Sequence, residues 1–162
     1  MIDFAGVLRC LAEAGVEYVV VGGAAATAHG SARLTQDLDI VYRRTDDNLH
    51  RLAAALAPHR PYLRGAPPGL PFHWDARTLH RGLNFTMTTD FGDLDLLGEI
   101  TGGGRYEDLL PEAVPIRLFG LSCQVLGLDS LIRVKRAAGR PKDLEAIAEL
   151  EAIREERARP DA

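Results

Sequence analysis

Asp37 and Asp39, two aspartates one residue apart, are the first residues in the sequence whose type and spacing suggest chemistry. They stand in DLDIVY (residues 37–42), where acidic and aliphatic residues alternate, and this predicts a β-strand with one polar and one apolar face. On such a strand both carboxylates point to the same face, with their Cα atoms about 7 Å apart. Because carboxylates this close repel each other until water or a cation intervenes, the pair is a candidate site for a divalent cation.

A second acidic pair repeats the pattern further along the chain. Asp93 and Asp95 stand in GDLDLL, and the alternation again puts both on one face of a strand. Carboxylates from adjacent strands form a ligand set suited to Mg²⁺ or Mn²⁺, whereas isolated cysteines and scattered histidines argue against zinc. The pattern leaves open which of these two acids joins the first pair. It also leaves open that the acids are simply the solvated face of an amphipathic strand.

A pair of glycines could bind the matching anion. Gly22 and Gly23 end the β-branched run VEYVVVGG (residues 16–23) and precede an alanine-rich segment that favours helix. Glycines at such a junction let backbone N–H groups approach a phosphate, and the dipole of the following helix favours an anion, although glycines also occur at such turns for steric reasons alone. Thr35, two residues before Asp37, can reach a phosphate or satisfy the start of the strand.

Alternating helix and strand patterns in the first half of the chain must position these residues. We predict a helix over residues 3–14, a strand ending at Gly22, a short helix closed by Gly30, the strand 37–42, and a helix over residues 47–58 capped by Asp46. Residues 59–81 are rich in proline, glycine and aromatic residues. They are predicted to form a substrate-facing loop or a long connection.

The second half of the chain predicts two hairpins followed by two helices. The hairpins cover residues 83–100, turning at residues 90–92, and residues 113–126, turning at Gly120; the first helix runs from a cap at Asp129 to Gly139, and the second continues beyond Pro141. This order of elements predicts a mixed α/β or α+β domain around one sheet. At 162 residues the chain fits a single domain.

Composition and charge narrow the classes of function. The net charge is -4 and the isoelectric point about 5.7, so the molecule as a whole does not attract nucleic acid and an anionic partner must be held locally. The amino terminus lacks the pattern of a signal peptide, and no run is long enough to cross a bilayer, so we expect no membrane contact and a cytoplasmic location. Cys10 and Cys123 are expected to be reduced thiols in or near the core.

These motifs carry a resemblance to a known superfamily. Gly22-Gly23, the Asp37-Leu38-Asp39 pair and an acid on a later strand resemble the signature of the DNA polymerase beta nucleotidyltransferase superfamily. The stretch GGAAATAHGSARLTQDLDIV is similar to minimal bacterial nucleotidyltransferase-like proteins, including abortive-infection type toxins. The resemblance spans residues 17–100 and continues more loosely in KRAAGRPKDLEAI, at Lys135, Arg140 and Asp143.

The resemblance implies one nucleotidyltransferase-fold domain over residues 1–162, with a core at 17–100, a mixed central sheet flanked by helices, and a carboxyl-terminal hairpin and helices at 112–158. It implies transfer of a nucleoside monophosphate from an NTP to an acceptor hydroxyl with Mg²⁺ or Mn²⁺. The assigned roles are metal binding and catalysis for Asp37, Asp39 and Asp95, and nucleotide binding for Gly22, Gly23, Thr35 and Lys135.

One residue departs from the pattern, and one assignment has a simpler alternative. Gly23 stands where many active members have serine, so the serine's hydroxyl contact to phosphate is absent. Lys135 lies in a basic helical segment that can be an ordinary solvated surface rather than a contact to phosphate or RNA.

The favoured setting is a toxin of a toxin–antitoxin system that modifies RNA such as tRNA and has an antitoxin protein as partner. An enzyme that modifies a small molecule such as an antibiotic is the nearest alternative, with an acceptor pocket expected from residues 59–81. A non-catalytic nucleotide sensor or antitoxin that retains the fold is the alternative from outside the enzyme class.

Overall fold

A computed structural model describes residues 1–160, and residues 161 and 162 of the predicted domain lie outside it. Its helices, α1 to α7, are Phe4–Glu13, Gly22–Ala28, Asp46–Leu56, Ala76–Arg81, Tyr106–Leu109, Leu128–Ala138 and Pro141–Ala158. Its strands, β1 to β7, are Tyr18–Val21, Asp37–Tyr42, Tyr62–Leu63, Phe85–Thr89, Gly92–Leu97, Ala113–Leu118 and Leu121–Leu126. The predicted mixed α/β architecture is confirmed.

The strands form one mixed sheet with the order β3-β4-β5-β2-β1-β7-β6. Both predicted hairpins form as antiparallel pairs, β4 with β5 and β6 with β7. At the centre, β2 runs antiparallel to β1 and parallel to β5. The two strands that carry the acidic pairs are therefore neighbours, while β1, which leads into α2, lies on the other side of β2.

Burial in the central strands follows the sequence pattern closely. In β2, Leu38 and Ile40 are fully buried on one face, while Asp37 and Asp39 are half-buried on the other. The three valines of β1 are buried, as expected for a strand covered on both faces. The sheet therefore anchors the acids on a rigid, well-packed element.

Residues 59–81 are more ordered than a plain connection. The segment contains β3 and α4, and several hydrogen bonds join it to the rest of the domain. The indole Nε1 of Trp74 donates to the carbonyl of Ala53 at 2.8 Å, and Arg44 Nη1 donates to the carbonyl of Leu79 at 3.1 Å. Trp74 is thus a packing anchor, and the segment adds an edge strand to the sheet.

Two predicted helix caps are wrong by one or two residues. Thr45, not Asp46, caps α3, because its hydroxyl accepts a hydrogen bond from the amide of Asn48 at 3.3 Å and Asp46 lies inside the first turn. Likewise α6 begins at Leu128 after Gly127, so Asp129 lies in its first turn rather than at the cap. The predicted end of α6 is confirmed: Gly139 has φ of +67° and closes the helix.

Two further expectations concern the membrane and the cysteines. Among the described residues, no helix combines the length and the apolar character needed to cross a membrane. Cys10 and Cys123 are free thiols, the former half-buried and the latter buried, as predicted.

Candidate active site

Three of the four strand aspartates converge on one face of the sheet. In the parallel register of β2 and β5, Asp39 is the direct neighbour of Asp95, and Asp37 is the neighbour of Asp93. Carboxylate oxygens of Asp37, Asp39 and Asp95, here called the acidic trio, all lie within 4.8 Å of one another. This spacing is compatible with three ligands around one or two hard divalent cations.

Burial and mutual repulsion both act on the carboxylates of the acidic trio. Asp39 Oδ1 is buried and has no hydrogen-bond partner within residues 1–160. Burial raises the pKa of the Asp39 carboxyl, and contact with Asp95 raises it further. The pKa of Asp37 is also raised, first by burial and then by Asp95. An unpartnered buried oxygen among three carboxylates fits a bound cation, which would remove the repulsion.

Asp93 and Asp95 have different surroundings, although they share a face. The side chain of Asp95 is 21% exposed and that of Asp93 is 47% exposed. Asp93 lies two residues closer than Asp95 to the turn that precedes β5, next to Asp37 rather than Asp39. The geometry thus groups Asp95 with Asp37 and Asp39 and leaves Asp93 at the margin.

Gly22 and Gly23 bring the start of α2 against the acids. Gly22 has φ of +65°, in the left-handed region, and a Cβ there would overlap the carboxylate of Asp39. A Cβ on Gly23 would lie 2.8 Å from Thr35 Oγ1. A larger residue at either position would have to displace a side chain of the site. Gly22 and Gly23 are therefore packed closely against Asp39 and Thr35, and their approach to a phosphate stays a prediction.

Thr35 already has a structural role. Its hydroxyl donates a hydrogen bond to the carbonyl of Asp37 at 3.1 Å, at the start of β2. The same hydroxyl fills the space beside Gly23, where a serine side chain would otherwise lie. Donation to a phosphate would require this hydrogen bond to be exchanged.

A cavity of about 360 Å³, here called the polar cavity, opens in front of the acidic trio. It is also lined by Gly22, Gly23, Thr35 and four basic residues, Arg33, Lys135, Arg140 and Lys142. Carboxylates on one part of the wall could bind a metal ion, and basic side chains on another part could bind phosphates. The cavity is therefore suited to a metal-bound polyphosphate.

The carboxyl-terminal helices supply most of the basic wall. Asp143, whose side chain is 3% exposed, accepts a hydrogen bond from Arg140 Nε at 2.7 Å, and Lys135 Nζ lies 4.0 Å from its other oxygen. The Arg140 guanidinium lowers the pKa of Asp143. The junction of α6 and α7 thus brings together Lys135, Arg140 and Asp143. The Asp143 carboxylate holds the two basic side chains in place.

A second cavity of about 260 Å³, here called the apolar cavity, adjoins the first. Leu97 and Val134 contribute to the apolar wall of the second cavity. The two cavities share five lining residues: Gly22, Asp39, Lys135, Arg140 and Asp143. Neither cavity has a lining residue from 59–81, so the acceptor pocket expected there does not form beside the acids.

Sequence reasoning missed one residue at the site and left the role of another open. Arg64 lies in residues 59–81, which show no clear periodicity, and it donates a hydrogen bond to Asp95 Oδ1 at 2.8 Å. No local pattern could have indicated this contact, because it depends on the pairing of β3 with β4 and of β4 with β5. From the sequence alone, His29 could be a catalytic group or a residue that hydrogen-bonds at the end of α2, and in the structure both of its ring nitrogens have hydrogen-bond partners. Its Nε2 is 2.8 Å from the carbonyl of Leu126, and its Nδ1 is 3.0 Å from Arg157 Nη1.

Comparisons with known proteins place this geometry in a fold. No protein-family model and no curated protein sequence matches the chain. A crystal structure of the lincosamide antibiotic adenylyltransferase LnuA, with lincomycin bound, has 13% identity and a TM-score of 0.59, with 91% of this chain and 94% of that chain covered.

A Thermotoga maritima protein described as a nucleotidyltransferase has 16% identity and a TM-score of 0.57, with 94% of this chain and 96% of that chain covered. Since both matches extend over nearly the whole of both chains, the chain has the nucleotidyltransferase fold. The fold expected from the resemblance is confirmed.

Proposed function

We propose that this protein is a metal-dependent nucleotidyltransferase that transfers a nucleoside monophosphate from an NTP to an acceptor hydroxyl. The observation that carries the proposal is the acidic trio, with ligand oxygens within 4.8 Å of one another beside the Gly22-Gly23 turn. The nucleotidyltransferase fold over nearly the whole chain supports it. The resemblance of the sequence motifs points in the same direction.

The acidic trio would hold Mg²⁺ or Mn²⁺. Such ions, when bound, supply the charge that stabilises the attacking and leaving oxygens of an in-line phosphoryl displacement. The chain's own contribution is to fix three carboxylates on two hydrogen-bonded strands, so that little reorganisation is needed. Oδ1 of Asp39 is buried and has no hydrogen-bond partner among residues 1–160, and a bound cation would offset the cost of burying it.

The remaining residues of the polar cavity would bind the nucleotide. Gly22 and Gly23 would let the triphosphate approach the backbone, and Lys135, on the basic wall, would neutralise part of its charge. Thr35 would contribute its hydroxyl beside Gly23. These roles require the phosphates to lie between the glycine turn and α6, which is where the polar cavity extends.

For the acceptor we propose RNA, in the setting of a toxin controlled by an antitoxin protein. A small-molecule acceptor is the second candidate, and two observations favour it. One matched structure is an enzyme named for modifying a lincosamide antibiotic. In addition, the apolar cavity adjoins Asp39 and is large enough for part of a small apolar molecule.

The test is incubation with each α-labelled NTP and Mg²⁺, with total RNA in one arm and lincomycin in the other. We expect label in one acceptor with the wild type and none with Asp39→Ala. Asp129→Ala, which removes an exposed carboxylate paired with Arg154, is the matched control and should retain transfer. Equal labelling by wild type and Asp39→Ala, or labelling by neither, would count against the proposal.

A further inference from the structure

Arg64 links the edge of the sheet to the third acid of the trio. It directly follows β3, and its amide donates to the carbonyl of Thr86, the residue paired with Asp95 across β4 and β5. From there its side chain crosses β4, and Nη2 donates to the carbonyl of Met87 and to Asp95 Oδ1, both at 2.8 Å. One guanidinium nitrogen thus ties Asp95 to the backbone of the neighbouring strand.

The guanidinium of Arg64 lies outside the polar cavity. Asp95 lines that cavity, whereas Arg64 and Asp93 do not. Arg64 Nε is shielded from solvent and lies 3.4 Å from Asp93 Oδ2. Arg64 therefore does not occupy the space in front of the acidic trio. It donates a hydrogen bond to Asp95 from outside the cavity, while Asp95 itself lines the cavity.

We propose that Arg64 is a positioning residue that fixes the orientation of Asp95 so that its carboxylate serves as the third metal ligand. This inference rests on the proposed function, because it assumes that the acidic trio binds metal. Outer partners that hold a ligating carboxylate are a general feature of metal sites, and their loss typically costs about 10- to 100-fold in metal affinity or activity.

The geometry requires the guanidinium and not only its charge. A planar fork can place one nitrogen on a carbonyl and a carboxylate together while a second nitrogen faces Asp93. A lysine ammonium retains the positive charge but lacks this fixed arrangement of donors. Orientation and charge also predict opposite effects on metal affinity. Removing a nearby cation by itself strengthens metal binding, whereas releasing Asp95 weakens it.

The experiment is a calorimetric titration of Mn²⁺ alone into wild type, Arg64→Gln, Arg64→Lys and Arg60→Gln. Arg60 is the matched control, since it lies in the same segment and pairs with Asp90 while its side chain is 87% exposed. We expect Arg64→Gln to weaken Mn²⁺ binding by about tenfold or more. Arg64→Lys should restore little of this loss, and Arg60→Gln should bind as the wild type does.

Two outcomes would overturn the inference while the proposed function survives. In the first, Arg64→Gln binds Mn²⁺ as tightly as the wild type or more tightly; in the second, Arg64→Lys restores wild-type affinity, which would indicate a role for charge alone. If the wild type binds no Mn²⁺, both the inference and the proposed metal site fail. In the transfer reaction, Arg64→Gln should lower kcat and leave the KM for NTP almost unchanged.

Discussion

Replacement of Gly22 by alanine should lower the free energy of unfolding for two separate reasons. The first is backbone strain, because alanine at φ of +65° is in the left-handed region, at a cost of about 1–2 kcal/mol. The second is overlap of the new Cβ with the Asp39 carboxylate, which must move, and forced repacking of this kind costs about 1–3 kcal/mol more. We therefore expect Gly22→Ala to lose about 2–5 kcal/mol of unfolding free energy.

Gly15 offers a matched control for the first cost. It has φ of +70°, and a Cβ there would meet nothing within 4 Å. Gly15→Ala should therefore lose only the strain cost of about 1–2 kcal/mol. The smaller conformational entropy of alanine in the unfolded chain affects both variants equally and cancels in the comparison.

Urea unfolding of the metal-free protein measures both variants, and thermal unfolding checks them at about 2–4 °C per kcal/mol for a chain of this size. In an Asp39→Ala background, Gly22→Ala should cost much less than in the wild type, because the overlapping carboxylate is gone. The reasoning is refuted if Gly22→Ala costs no more than Gly15→Ala, or if removing Asp39 leaves its cost unchanged.

Three further predictions concern charge. Burial raises the pKa of Asp39, so protonation of this carboxyl stabilises the folded protein; the stabilisation is fully present below the ordinary carboxyl pKa of about 4 and is lost as pH rises through the raised pKa. Asp39→Asn should therefore increase the unfolding free energy of the metal-free protein at neutral pH, measured in urea. The same variant should no longer be stabilised by Mn²⁺. Arg140 lowers the pKa of Asp143, so the ionised carboxylate stabilises the folded protein, and this stabilisation is lost as pH falls below about 4. Asp143→Asn lacks the carboxylate, so thermal unfolding across pH should show a smaller decrease in stability at acidic pH for this variant than for the wild type. Lys135→Gln should raise the KM for NTP about tenfold, the equivalent of 1.4 kcal/mol, while the exposed control Arg136→Gln leaves it unchanged in steady-state assays.

Much of the fold was predictable because its signals are local. Alternation in DLDIVY and GDLDLL, the glycine turns, and helical spacing in α1, α6 and α7 each reflect contacts within a few residues. The cap at Thr45 was missed because threonine and aspartate both accept hydrogen bonds at a helix start, and the sequence offers them side by side.

The candidate site was predictable only in part, since its remaining features depend on distant contacts. Residues 59–81 lack periodicity, so neither β3 nor the hydrogen bond from Arg64 to Asp95 has a local signature. The preference for Asp95 over Asp93 comes from the register between β2 and β5, which a single strand cannot specify. The position of Thr35 beside Gly23 likewise depends on how the loop before β2 packs on α2.

The most direct test of the central claim is metal-dependent transfer by four single variants. Asp37→Asn, Asp39→Asn and Asp95→Asn each remove one acid of the trio, and Asp93→Asn removes the neighbouring acid outside it. With labelled NTP and Mg²⁺, the wild type and Asp93→Asn should transfer label, and the other three should lose at least about 100-fold in rate. Activity in Asp95→Asn with loss in Asp93→Asn, or equal activity in all four variants, would contradict the account.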